Sequence, residues 1–158
     1  MSFLNAKIAE QAIELTTPFI RNLMDKDAVN KAHLHVVVAL RDESQFDRSY
    51  FVLAQTSFGD VDQWKHNYND IAHGKTEISA RTGLASREVQ TMHPELLLES
   101  DIMYWGNAVS GDIIVSCSGV QPWFDEAISN AILWLCKALV QTEVEERRQM
   151  AKGDTFDS

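Results

Sequence analysis

The sequence predicts a single α+β domain in which an antiparallel sheet of two hairpins is packed with helices, in the order α-β-β-α-(short α)-β-β-α. Helical stripes of apolar residues flank and separate two pairs of β-branched runs. The chain has 158 residues, 45% of them hydrophobic, enough to bury one core. No internal repeat interrupts this order.

Leu4, Ile8, Ala12, Leu15, Phe19 and Leu23 recur at three- and four-residue steps, which predicts a first helix with Ser2 as its N-cap and a kink at Pro18. HLHVVVALRDE and RSYFVLAQTSF, joined through the polar SQFD, read as a hairpin. Trp64, Tyr68, Ile71, Lys75 and Ile78 form the stripe of a second helix that Gly83 stops. ASREVQTMHPELLLES suggests one or two short helical turns, and MYWGNAV-SG-DIIVSCS a second hairpin turning at Ser110-Gly111. The last helix starts near Pro122, suited to a first helical position because its missing N–H would have no partner there. Residues 1–148 form the domain, and the polar residues 149–158 are expected to fray as a flexible tail.

A formal net charge of −9 and a pI near 4.9 argue against nucleic acid and anionic lipid as partners, since both are bound by neutralising phosphate with Lys and Arg. No basic-then-apolar leader and no run near 20 apolar residues is present, so a cytoplasmic protein without a membrane segment is expected. Cys117 and Cys136 form no CxxC pair and are expected to be reduced.

SCSGVQPWFDEAISNAILWLCKAL invites a test for a nucleophile. Strand alternation puts Cys117 with the apolar Ile113 and Val115, where a thiol is inert, and S-C-S-G lacks the two glycines of a G-x-S-x-G elbow. Ser116 and Ser118 read instead as small residues that admit either a packed helix or a ligand over the strand end. Asp125 and Glu126, near the start of the last helix, complement its dipole or, if buried, form an acid/base pair. Lys75, in an otherwise apolar stripe, either snorkels to water or projects into a cleft to meet a ligand carboxylate or an acid such as Asp125. His33 and His35 share a strand face without a third metal ligand at suitable spacing. His66 and His73 fall on one helix face, roughly 10 Å apart by helix rise. The last helix is apolar nearly all round from Ile128 to Val140, and Trp123, Phe124 and Trp134 are of the type that anchors interfaces, so a homo-oligomer, most simply a dimer, is expected.

Three segments resemble the GlcG/HbpS family, the haem-degrading-domain-like proteins that include the C-terminal domain of PduO-type proteins. DIAHGKTEISARTGLASREV is similar to the family's A-x-x-K-A-x-T-A helix with its Ser/Thr restart, with Ala72 and Lys75 in the matching positions. YWGNAVSGDII resembles the Gly-Gly-x-Pro hairpin through Gly106 and Gly111. SCSGVQPWFDEAISNAI is similar to G-V-S-G followed by D-E-x-x-A, through Ser118, Gly119, Asp125 and Glu126. Ser116-Cys117 replace Gly-Val, Trp105 and Ala108 replace the first Gly and the Pro, and Gln55-Thr56-Ser57 stands for the family's R-x-D. The resemblance implies helices on an antiparallel sheet, self-association, and a site for a tetrapyrrole or small organic acid near the Lys75 helix and the Ser-Gly turn. Lys75, Gly106, Ser118, Gly119, Asp125 and Glu126 are then the expected ligand-binding residues, with His73 a candidate single axial ligand to haem.

The expected function is that of an oligomeric small-molecule-binding protein, for haem or a related tetrapyrrole, with no catalytic residue assigned. The alternatives are an enzyme acting on small carboxylates through Lys75 and Asp125 or Glu126, and a structural adaptor acting through its apolar C-terminal helix.

Overall fold

Apolar residues on two sides of four short strands need cover on both, and three long helices supply it. The computed structural model describes residues 3–42, 49–64 and 66–153. Helix α1 (Ala6–Asp25) precedes strands β1 (Leu34–Arg41) and β2 (Tyr50–Phe58). Helices α2 (Tyr68–Thr82) and α3 (Ser86–Met92) lead to β3 (Asn107–Ser110), β4 (Ile113–Ser118) and α4 (Pro122–Lys152). The architecture is α+β in the expected order. The SQFD connection, Ser2 and the end of the tail lie outside the described residues.

The sheet is antiparallel throughout, in the order β2-β1-β4-β3. Strand alternation splits β1 cleanly: Leu34, Val36 and Val38 join Val115 and Cys117 in the core beneath α1 and α4, while Val37 and Ala39 meet Ala72 of α2 on the other face. A bulge opposite Val38 and Ala39 accommodates an extra residue, Leu53, on β2. Cys117 is fully buried, and burial pushes its thiol up to about 12, in keeping with an inert cysteine. Both cysteines are free. Among the described residues no helix is long and apolar enough to cross a membrane.

Local details differ from expectation in instructive ways. Helix α1 begins at Ala6, capped by Asn5 Oδ1 accepting from Ile8 N at 2.9 Å. Pro18 lies inside it, and the Thr16 and Thr17 hydroxyls donate to the carbonyls of Ala12 and Ile13 just ahead of it. Its buried face is Ile8, Ala9, Ala12, Ile13, Thr16 and Ile20, so Leu15 and Phe19 of the expected stripe point to solvent. The second hairpin turns at Gly111-Asp112, one residue later than expected, with Gly111 at φ 56° in the first turn position. Helix α4 continues through residues 149–152 of the segment expected to fray, and Gly153 closes it in a left-handed conformation. Trp64 and His66 precede α2, so His66 and His73 do not share a helix face as expected.

Candidate functional site

Lys75 is held where a lysine is rarely found. Helix α2 lies across the sheet, and at its middle the Lys75 side chain runs inward to 1% exposure. The snorkelling alternative is thereby excluded. Its Nζ donates to Cys117 O at 2.6 Å and to Asp125 Oδ2 at 3.1 Å, an ion pair between α2 and the first turns of α4. Val120 N donates to the other oxygen, Asp125 Oδ1, at 3.3 Å. Burial pushes the Asp125 carboxyl up to about 7, although Lys75 and the backbone N–H groups of Val120 and Gly119 pull it down.

Two glycines make this junction possible. At Gly106, φ 130°, a Cβ would fall 2.7 Å from Asp125 Cβ and 2.8 Å from Pro122 O, so only glycine lets the strand approach the pair. At Gly119, φ 146°, a Cβ would lie 2.2 Å from His33 O.

A polar layer beneath α2 fixes its position. Asn107 Nδ2 donates to Ser79 Oγ at 2.8 Å, Ser116 Oγ at 3.2 Å and Lys75 O at 3.3 Å, and Asn107 Oδ1 accepts from the backbone N–H and hydroxyl of Ser86. Thr76 Oγ1 lies 2.9 Å from Ser116 Oγ. Every polar atom of the Asn107 amide is therefore used, which binds α2, α3 and two strands into one rigid unit. Ser116 serves helix packing.

The ion pair opens on a cavity of about 260 Å³. Lys75, Asp125, Ser118 and Gly119 line its inner end, and Tyr68, Tyr104 and Trp105 form aromatic walls. Lys31 and His66 stand at its edge, where Lys31 Nζ donates to Tyr68 OH at 3.2 Å. The Ser118 hydroxyl has no hydrogen-bond partner among the described residues and is free for a ligand. Four of the six expected ligand-binding residues thus meet around one space. Gly106 lies behind the pair, and Glu126 turns away to Arg87 Nε at 2.8 Å, so Asp125 and Glu126 do not form a carboxylate pair. The aromatic walls were missed by sequence reasoning; the Tyr104-Trp105 pair directly before a required glycine is the signal that could have found them.

His73, the candidate haem ligand, is two residues from Lys75 but faces β1 and β2, away from the cavity. Its Nδ1 lies 2.9 Å from Tyr50 OH and its Nε2 3.0 Å from Gln55 Oε1. His35 Nε2 shares the same Gln55 oxygen at 3.1 Å, and its Nδ1 meets Ser57 Oγ at 2.8 Å. An amide oxygen only accepts, so both rings carry their proton on Nε2 and accept the hydroxyls at Nδ1. Burial lowers both imidazoles below their ordinary pKa, favouring these neutral forms. Neither nitrogen of His73 is open to an iron. Among the described residues no group of three or more His, Cys, Asp or Glu side chains is arranged to hold a metal ion.

Compared with family models, curated proteins and solved structures, the chain gives no match. The fold and site define it as an α+β protein with a buried lysine–aspartate pair at the end of an aromatic-walled cavity.

Proposed function

We propose that this is a small-molecule-binding protein whose cavity receives a small organic acid, its carboxylate directed to Lys75 and Ser118 and its body lying between Tyr68, Tyr104 and Trp105. The observation that carries the reading is a fully buried ammonium at the end of a cavity. Burying a lysine is costly, and a lysine so placed is retained where its charge has a use. The positive end of the α4 dipole adds to the attraction for an anion. The resemblance to the GlcG/HbpS family, which implies a ligand near the same helix and turn, agrees with this choice.

Of the two ligands that resemblance suggests, the small acid is the better supported. A volume of about 260 Å³ lies below the roughly 300–1,000 Å³ usual for drug-sized ligands, and a tetrapyrrole needs the upper part of that range. The engaged nitrogens of His73 point the same way. NMR titration with benzoate and an absorbance titration with haemin test the choice. Benzoate should shift resonances of Trp105 and Ser118 and lose its effect in Lys75→Met. A haemin Soret shift abolished by His73→Ala would reverse the preference.

One observation favours a second reading. Asp125, with its carboxyl pushed up to about 7, is poised for proton transfer near neutral pH, so an enzyme acting on small carboxylates could use it as acid or base beside Lys75. Turnover of a bound carboxylate that Asp125→Asn abolishes while binding persists supports this reading. The proposal also includes self-association in the cytoplasm: Trp123 and Trp134 of α4 are 60% and 62% exposed, and both cysteines are unpaired. The same surface would serve an adaptor.

A further inference from the structure

The Lys75 ammonium makes two bonds, one to the neutral Cys117 carbonyl and one to Asp125 Oδ2, so Asp125 is its counter-anion. A ligand carboxylate reaching Lys75 must come up against that aspartate, because both side chains line the same end of the cavity and are 1% and 4% exposed. Two carboxylates would then share one buried cation. Like charges at such range cannot both remain ionised without a large cost, and the arrangement is relieved when one takes a proton. A cation gains nothing from that exchange; a carboxylate does.

Resting on the organic-acid reading above, we propose that the site binds a flat monocarboxylate together with one proton, Asp125 taking the proton as the ligand carboxylate takes its place beside Lys75. Asp125 becomes a neutral carboxylic acid that can donate a hydrogen bond to the ligand or to solvent within the cavity. The ion pair is re-formed with the ligand in place of the protein's own carboxylate, so the net charge at the inner end stays at zero. Burial already holds the Asp125 carboxyl up at about 7 in the unliganded protein, the direction this exchange requires.

The other charged or titratable groups around Asp125 are accounted for. Cys117, on β4, is held neutral by burial. Glu126 and Arg87 pair with each other between α4 and α3. Tyr68 and Tyr104 form the walls, Lys31 stands at the partly solvated edge, and His66 is exposed at the mouth. Protonation of His66 would favour an anion in the same direction, and the experiment must separate it from Asp125.

Calorimetric titration with benzoate between about pH 6 and about pH 8.5, in buffers of different ionisation enthalpy, makes the separation. Affinity should fall by about tenfold per pH unit above about pH 7, with uptake approaching one proton per benzoate there. Asp125→Asn, which keeps the shape and removes the titration, should bind benzoate with little pH dependence. The neutral benzamide should show none in either protein. Benzoate binding without proton uptake in the wild type overturns the proposal while leaving the organic-acid reading intact, and this result needs no variant. Persistence of the full pH dependence in Asp125→Asn overturns it in favour of His66. If benzoate binds neither protein at about pH 6, the organic-acid reading itself fails, and the proton linkage with it.

Discussion

Lys75 and Asp125 have opposite charges, yet burial has the larger say in how Asp125 titrates. Its carboxyl is pushed from the ordinary acidic range up to about 7, so desolvation outweighs the attraction of Lys75. A carboxyl with a raised folded pKa binds more protons folded than unfolded. Its contribution to stability is complete below the unfolded pKa of about 3.9 and is lost as pH rises through about 7. Lys75→Met removes the one charge that opposes this loss, so Asp125 must then stay protonated to still higher pH. The substitution should cost about 3–5 kcal/mol at about pH 8 and markedly less at about pH 5, where the aspartate is already neutral in both proteins. Denaturant unfolding at the two pH values measures the difference; equal costs would mean that Asp125 does not titrate in this range.

Helix α2 shows how one element divides its work. His73 and Lys75, two positions apart, are turned by the helical repeat to different sides, one to the histidine network over β1 and β2 and the other to β4 and α4. The turn after β4 contains Gly119, packed against the backbone that leads into β1. Gly119→Ala adds strain at φ 146° to a backbone clash and should cost roughly 3 kcal/mol or more. Gly111→Ala, at φ 56° with open space around it, should cost only about 1 kcal/mol. Thermal melts of the pair test the ranking, and similar losses would show that the approach at Gly119 relaxes cheaply.

The whole molecule is a sheet with α1 and α4 on one face and α2 on the other, and both α4 and α1 carry exposed large apolar side chains. Trp123 and Trp134, with Leu15 and Phe19, remain more than a third exposed, and the self-association proposed above would cover them. Multi-angle light scattering should therefore read at least twice the 17.8 kDa chain mass, and Trp134→Glu should lower it. A wild-type reading of one chain mass removes both the oligomer and the adaptor alternative.

Much of this was open to reading along the chain. The order of elements, the inward Cys117 and the start of α4 at Pro122 all follow from interactions within a few residues, where helical and strand periodicities are written directly. The buried face of α1 was not, because apolar residues occupy neighbouring faces and only packing against β1, β2 and α4 selects Ile13 and Ile20 over Leu15 and Phe19. The pairing of Lys75 with Asp125 joins residues 50 apart, and Tyr68, Tyr104 and Trp105 become walls of one cavity only when the sheet adopts the order β2-β1-β4-β3. Local pattern carries the elements because their hydrogen bonds are local; the site arose from strand order and from burial, which changes the energy of a charge by amounts no neighbouring residue reveals.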